Sequence, residues 1–328
     1  MKHSFLLCLG KLLGLGLLLA SGACRVMGPA GSMDDTTNYC IPPQRFGSGA
    51  TADAPRAPLP APPALDTTLL PQLSVRSQQL ARAYGLTPAL RQLVLHPAGN
   101  DSYKGFVRQR RALTLQVVQA AGDALRVVEE LECEKRRVDQ ATAGLQSQQT
   151  KQTRNLTIGS LLAGATSGIV SATILNENKA NLNLVLTVGT AALSAGLGVG
   201  TLFVNPQLAY PLPNNLLADV WYQRPQPVFY PPGLWATLSD VRSGRTDAGA
   251  WSPLQTIRQR WAKYDQLSGG KPAQQAQRQE LYFGRGGRYH LDDLHVRSDM
   301  LGQVASAVRV VNQDLQKLLV EVSTVEPQ

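Results

Sequence analysis

Two stretches of the chain, Leu156–Leu175 and Leu184–Val204, contain no charged residue, and only the polar run Asn176–Asn183 separates them. A helix rises about 1.5 Å per residue, so about 20 apolar residues reach across ~30 Å of hydrocarbon. A linker this short forces the two helices to run antiparallel. Any fold of this chain therefore has to house an apolar helical hairpin, in a bilayer or in a protein core.

Small residues recur in both arms with a period of four: Ser160, Gly164, Gly168 and Ala172 in the first, Ala192, Gly196 and Gly200 in the second. Residues four apart share a helix face. Each arm thus presents a groove where another backbone can approach closely, which is the packing that holds helices together in lipid. Over residues 156–204 this pattern resembles the glycine-zipper hairpin of small envelope lipoproteins. The resemblance implies a membrane-embedded, self-associating hairpin. Thr157, Ser160, Thr166, Ser167, Ser171 and Thr173 leave the first arm only moderately apolar, which keeps two other readings open. One is a buried pair of core helices in a bundle. The other is insertion on a trigger, as in α-helical pore-forming toxins, which also join long coiled helices to an apolar hairpin.

The N-terminus addresses the chain for export. Lys2 and His3 precede a short apolar run that ends in Ser21-Gly22-Ala23-Cys24, the pattern of a signal peptide over residues 1–23. The run is too short to span a membrane comfortably, and Lys11 shortens it further. Cys24 after small residues resembles the lipobox of bacterial lipoproteins, with Ser21 standing where that family usually has Leu. The resemblance implies a diacylated Cys24 as the new N-terminus; plain cleavage after Ala23 and an uncleaved anchor are the alternatives. All three place the body outside the cytoplasm. Cys8 and Cys24 belong to the signal, leaving Cys40 and Cys133. In an oxidising compartment these two either pair, pinning the N-terminal tail to a helix, or remain separate thiols too far apart to bridge.

The expected fold is all-α. Residues 24–65 are small, polar and proline-rich and read as a disordered tether that cannot bury enough apolar surface to fold. Within 66–155, Leu70, Leu73, Leu80, Leu86, Leu90 and Leu93 mark two short helices broken at Gly85 and Pro88. Asp101 or Ser102 then caps a long amphipathic helix whose seam is Phe106, Leu113, Val117, Ala120, Ala124, Val127, Leu131, Val138 and Leu145. The region 252–328 ends in a heptad helix with Leu294, Leu301, Val308, Leu315 and Val322 on one seam and Val304, Val311 and Leu318 on the other. Pairing of these two long helices within one chain is the economical solution, and a homo-oligomeric bundle the alternative. Ser252–Leu267 and Pro272–Tyr282 are read as shorter helices. Residues 205–251 alternate prolines with Tyr210, Trp221, Tyr222, Phe229, Tyr230 and Trp235. That segment is expected to be irregular, either an aromatic belt at a membrane surface or a loop packed on the helical body.

Chemistry is sparse. Ser268-Gly269-Gly270-Lys271 fails as a phosphate loop, because Asp265 stands at its first glycine and Pro272 replaces the magnesium-binding hydroxyl. His290, Asp292, Asp293 and His295 suit a first helical turn better than a metal site. No Ser-His-acid or Cys-His set can be assembled, so no catalytic residue, cofactor or metal is expected. The formal charge of +9 includes a basic cluster over Arg242–Arg288; in an exported protein this favours lipid headgroups or surface polysaccharide over nucleic acid. The expected partners are membrane lipid and either a second copy or other envelope proteins. The expected role is structural or tethering, with an α-helical pore as the alternative.

Overall fold

The computed structural model describes residues 31–32, 40, 42–46, 73–95, 100–173, 204–241, 252–264, 267 and 271–326, with backbone alone for 31–32, 100–102, 163–173 and 264. The described residues are mostly helical, in the order β1 (Gly31–Ser32), α1 (Val75–Ala83), α2 (Thr87–Val94), α3 (Asn100–Thr173), β2 (Leu208–Pro211), α4 (Leu216–Tyr222), α5 (Pro232–Ser239), α6 (Pro253–Tyr264), α7 (Pro272–Phe283), β3 (Gly286–Tyr289) and α8 (Leu291–Ser323). They divide into two compact units. The larger draws on residues 35–139, 211–287 and 295–328, the smaller on 140–210 and 288–294 together with β1.

In the larger unit the first part of α3 packs antiparallel to α8. Every seam residue expected from the sequence in these two helices is buried, and each fully buried Leu or Val contributes about 1.5–3 kcal/mol. Polar contacts fix the direction: Arg110 reaches the Ser323 carbonyl at 3.4 Å, Glu132 pairs with Arg309 at 2.7 Å, and the Ser298 hydroxyl donates to Asp139. The partner of the long helix is therefore within the chain. Helix α1 is tied to α8 by Arg76–Asp314 at 2.7 Å and by Glu321, which accepts from the Ser74 N–H at 3.0 Å. Its N-cap is Ser74, and Gly85, at φ +69°, turns the chain into α2. Helix α3 is described from Asn100, which places Asp101 and Ser102 inside its first turn rather than ahead of it.

The proline-aromatic segment departs from expectation. It contains β2, α4 and α5, and Tyr210, Phe229, Tyr230 and Trp235 are buried, leaving Tyr222 exposed. Asn215 caps α4, and Pro231 and Pro232 open α5, where a missing N–H is tolerated. Trp221 stacks on Phe283 at 4.6 Å and Phe283 on Trp261 at 5.6 Å, so α4, α6 and α7 share an aromatic wedge. Packing within the protein, rather than a membrane belt, accounts for Tyr210, Phe229, Tyr230 and Trp235, because all four are buried. Strands are more frequent than the sequence implied, although each is four residues or shorter. They form a sheet of order β1-β2-β3, with Gly31 and Ser32 parallel to Leu208 and Ala209.

Cys40 and Cys133 form a disulfide across a sequence separation of 93. It fixes a strap, residues 40 and 42–46, on α3: Glu130 accepts from the Gln44 N–H at 3.1 Å, the Phe46 N–H donates to the Val228 carbonyl at 3.0 Å, and Arg126 lies 4.8 Å from the centre of the Phe46 ring. A cross-link closing a loop of this length restricts the unfolded chain strongly. Replacing both cysteines with serine is expected to lower stability by about 2–4 kcal/mol; urea unfolding of the variant beside the oxidised and reduced wild type measures it, and coincident curves would remove the strap from the fold's energetics. A Cβ added at Gly233 in α5 would run into the Tyr84 ring, so Gly233→Ala should cost about 1–3 kcal/mol, read as a lowered melting temperature.

Candidate functional site

The distal part of α3 carries the first arm of the sequence-derived hairpin. The arm is not a separate segment: one helix of 74 residues continues through it. Two hydroxyls at its start turn back onto the helix, Thr157 donating to the Thr153 carbonyl at 2.9 Å and Ser160 to the Thr157 carbonyl at 2.8 Å, which satisfies them without water. In the same opening stretch Ile158 is 47%, Leu161 67% and Leu162 62% exposed. Ser160, Gly164, Gly168 and Ala172 all fall within α3 and recur along one stripe of it. At the base, Gln149 Nε2 donates to the Val204 carbonyl at 3.3 Å. Val204, the last residue of the expected second arm, is thereby held at a point on α3 about two turns before the first arm begins. Ala192, Gly196 and Gly200 lie outside the described residues, as does Cys24. Among the described residues no helix is long and apolar enough to cross a membrane.

The larger unit holds a polar cluster that sequence reasoning missed. Arg297 on α8 is 0% exposed. Its guanidinium donates to the Tyr282 carbonyl at 2.8 Å and to Asn215 Oδ1 at 3.4 Å, and lies 3.7 Å from Glu134, which also pairs with Arg137 at 2.9 Å. Asn215 Nδ2 in turn donates to the carbonyls of Tyr282 and Gly284, both at 2.9 Å. Nearby, a cavity of about 50 Å³ lies between the strap, α3 and the start of α4, far below the ~300–1,000 Å³ of small-molecule sites. Arg297 occupies a seam position of α8, and that break in the apolar repeat was the available signal.

Asp219, wholly buried in α4, accepts the Val228 N–H at 2.8 Å and the Phe229 N–H at 3.1 Å and meets Arg224 at 3.3 Å. Burial raises its carboxyl above the ordinary range despite those donors, and burial raises Glu130 in the same way against the Gln44 N–H and Arg126. At Asp139 burial also acts upward, but the hydrogen bonds from Lys135 and Ser298 outweigh it and hold the carboxyl low.

Asp219 and Glu130 thus organise backbone, and Asp139 ties α3 to α8 through Ser298. A groove of about 610 Å³ runs along α8 between α3 and α6, floored by Gly302, Ser306, Ala307 and Val310. Of its polar lining, Ser306 donates to the Gly302 carbonyl, Gln303 accepts from Trp261, and Glu132 pairs with Arg309. His290 is held between Asn205 and Gln207 at 2.9 and 2.8 Å, and its N–H donates to Asp293. Among the described residues no group of three His, Cys, Asp or Glu side chains could hold a metal. No protein family matches the chain, and neither a curated protein nor a solved structure shows significant similarity to it.

Two outcomes are expected at Asp219. Asp219→Ala strands the buried Phe229 N–H and the part-buried Val228 N–H and should cost about 2–4 kcal/mol in urea unfolding. An acid whose folded pKa is raised contributes stability that is complete below its unfolded value and declines as pH rises through the folded one. Relative to Asp219→Asn, wild-type stability should therefore fall as pH rises from about 4; a difference that is flat or grows with pH would contradict the raised carboxyl.

Proposed function

We propose that the chain is a non-enzymatic, exported envelope protein with a structural or tethering role, lipid-anchored at Cys24 and entering a membrane through a helical hairpin whose first arm is the end of α3. The observation that carries this reading is the pairing of outward apolar side chains at Ile158, Leu161 and Leu162 with hydroxyls satisfied inside the helix. In hydrocarbon a helix must satisfy its polar groups internally and present apolar surface outward. The Gln149–Val204 hydrogen bond supports a chain that leaves and returns to the same place. The Cys40–Cys133 disulfide suits an oxidising, extracytoplasmic compartment. Membrane lipid and a second copy or other envelope proteins are the partners, with no nucleic acid and no cofactor.

An α-helical pore-former is the second reading. It is favoured by the unbroken run of α3 from a coiled body into the apolar arm.

Carbonate extraction of fractionated membranes tests the proposal. Wild type and Cys24→Ala should both stay with the membrane. Adding Leu161→Lys and Leu162→Lys to Cys24→Ala, each costing up to about 2.5–3.5 kcal/mol in a bilayer, should release it. Complete release of Cys24→Ala alone would remove the hairpin as an anchor. Dye leakage from liposomes exposed to purified protein would select the pore.

A further inference from the structure

Helix α3 has a second seam opposite its core. Arg111, Leu115, Val118, Gly122, Leu125 and Glu129 follow one another in alternating steps of four and three residues, the spacing of a coiled-coil contact line. These positions are open: Leu115 is 60%, Val118 48% and Leu125 49% exposed, and nothing lies within 4 Å of where a Cβ on Gly122 would point. Arg111 and Glu129 are exposed as well, and no ion pair among the described residues engages either. The stretch covers about 27 Å of helix at ~1.5 Å per residue.

The seam is self-complementary when read in opposite directions. Laid antiparallel about Ala120, two copies place Leu115 against Leu125 of the second copy, Val118 against Gly122, and Arg111 against Glu129. Two-fold symmetry makes every contact twice. Gly122 leaves space for the Val118 side chain, and the flanking charges attract. A parallel, in-register pair would instead set Arg111 against Arg111 and Glu129 against Glu129. Beyond the stretch the same register sets Arg108 against Glu132, which is already paired with Arg309, and then brings Lys104 toward Arg136, so the open, complementary seam runs from Arg111 to Glu129. We infer that the chain forms a two-fold antiparallel dimer through this face of α3, a surface separate from the hairpin and independent of whether the hairpin enters lipid.

Sedimentation equilibrium of the full mature chain in mild detergent tests the dimer. Wild type should dimerise, and Val118→Asp should weaken the dimer at least about 100-fold while leaving helix content and melting unchanged. Arg111→Glu or Glu129→Arg alone should weaken it about tenfold, and the double reversal should return it to within about threefold of wild type. Gly164→Leu/Gly168→Leu, which blocks close packing of the hairpin, should leave the dimer intact. An unchanged dimer in Val118→Asp, no recovery in the double reversal, or loss of the dimer in the hairpin variant alone would each overturn the inference.

Discussion

An arginine without solvent contact sits where α3, α4, α7 and α8 of the larger unit converge. Arg297 is useful there because its fork of donors meets several acceptors at once: the Tyr282 carbonyl at the end of α7, Asn215 at the start of α4, and Glu134 on α3. Burying a guanidinium is costly unless its hydrogens are bonded and its charge opposed. Each acceptor must therefore arrive at its place, which sets the register of α3 against α8 and the points where α7 stops and α4 begins. Apolar seams alone would tolerate a slip by one heptad; this cluster does not.

Helix α3 does different work on different faces. One face supplies the core seam against α8. A second holds the strap through Cys133, Glu130 and Arg126, so that a segment from early in the chain is fastened beside residues from its latter part. A third, from Arg111 to Glu129, is open and apolar between opposite charges. Exposed apolar residues at regular helical spacing on a well-packed helix are unusual enough to call for a partner.

Beyond the larger unit the same helix changes character. Charged residues give way to hydroxyls that bond to their own backbone and to aliphatic side chains that point outward. It is this stretch that the proposed membrane role places in hydrocarbon, and the Val204 carbonyl bonded to Gln149 returns the chain to the same helix. The proposed envelope role draws on this stretch together with the disulfide-stapled helical body.

Sequence periodicity determined the helical class, the two long seams, the break at Gly85 and the shorter helices at Pro253 and Pro272, because the spacing of apolar residues along a helix is a local property. It also located the small-residue stripe from Ser160 to Ala172. Tertiary structure decided what depends on distant segments meeting. Whether Cys40 could reach Cys133, whether the rings of 210–235 faced lipid or protein, and which acceptors would surround Arg297 and Asp219 are questions of proximity across tens to hundreds of residues. A linear pattern carries no distance of that kind. Prolines among the aromatics read as irregular for the same reason: they open helices only where caps and neighbouring rings, supplied from elsewhere in the chain, hold the turns in place.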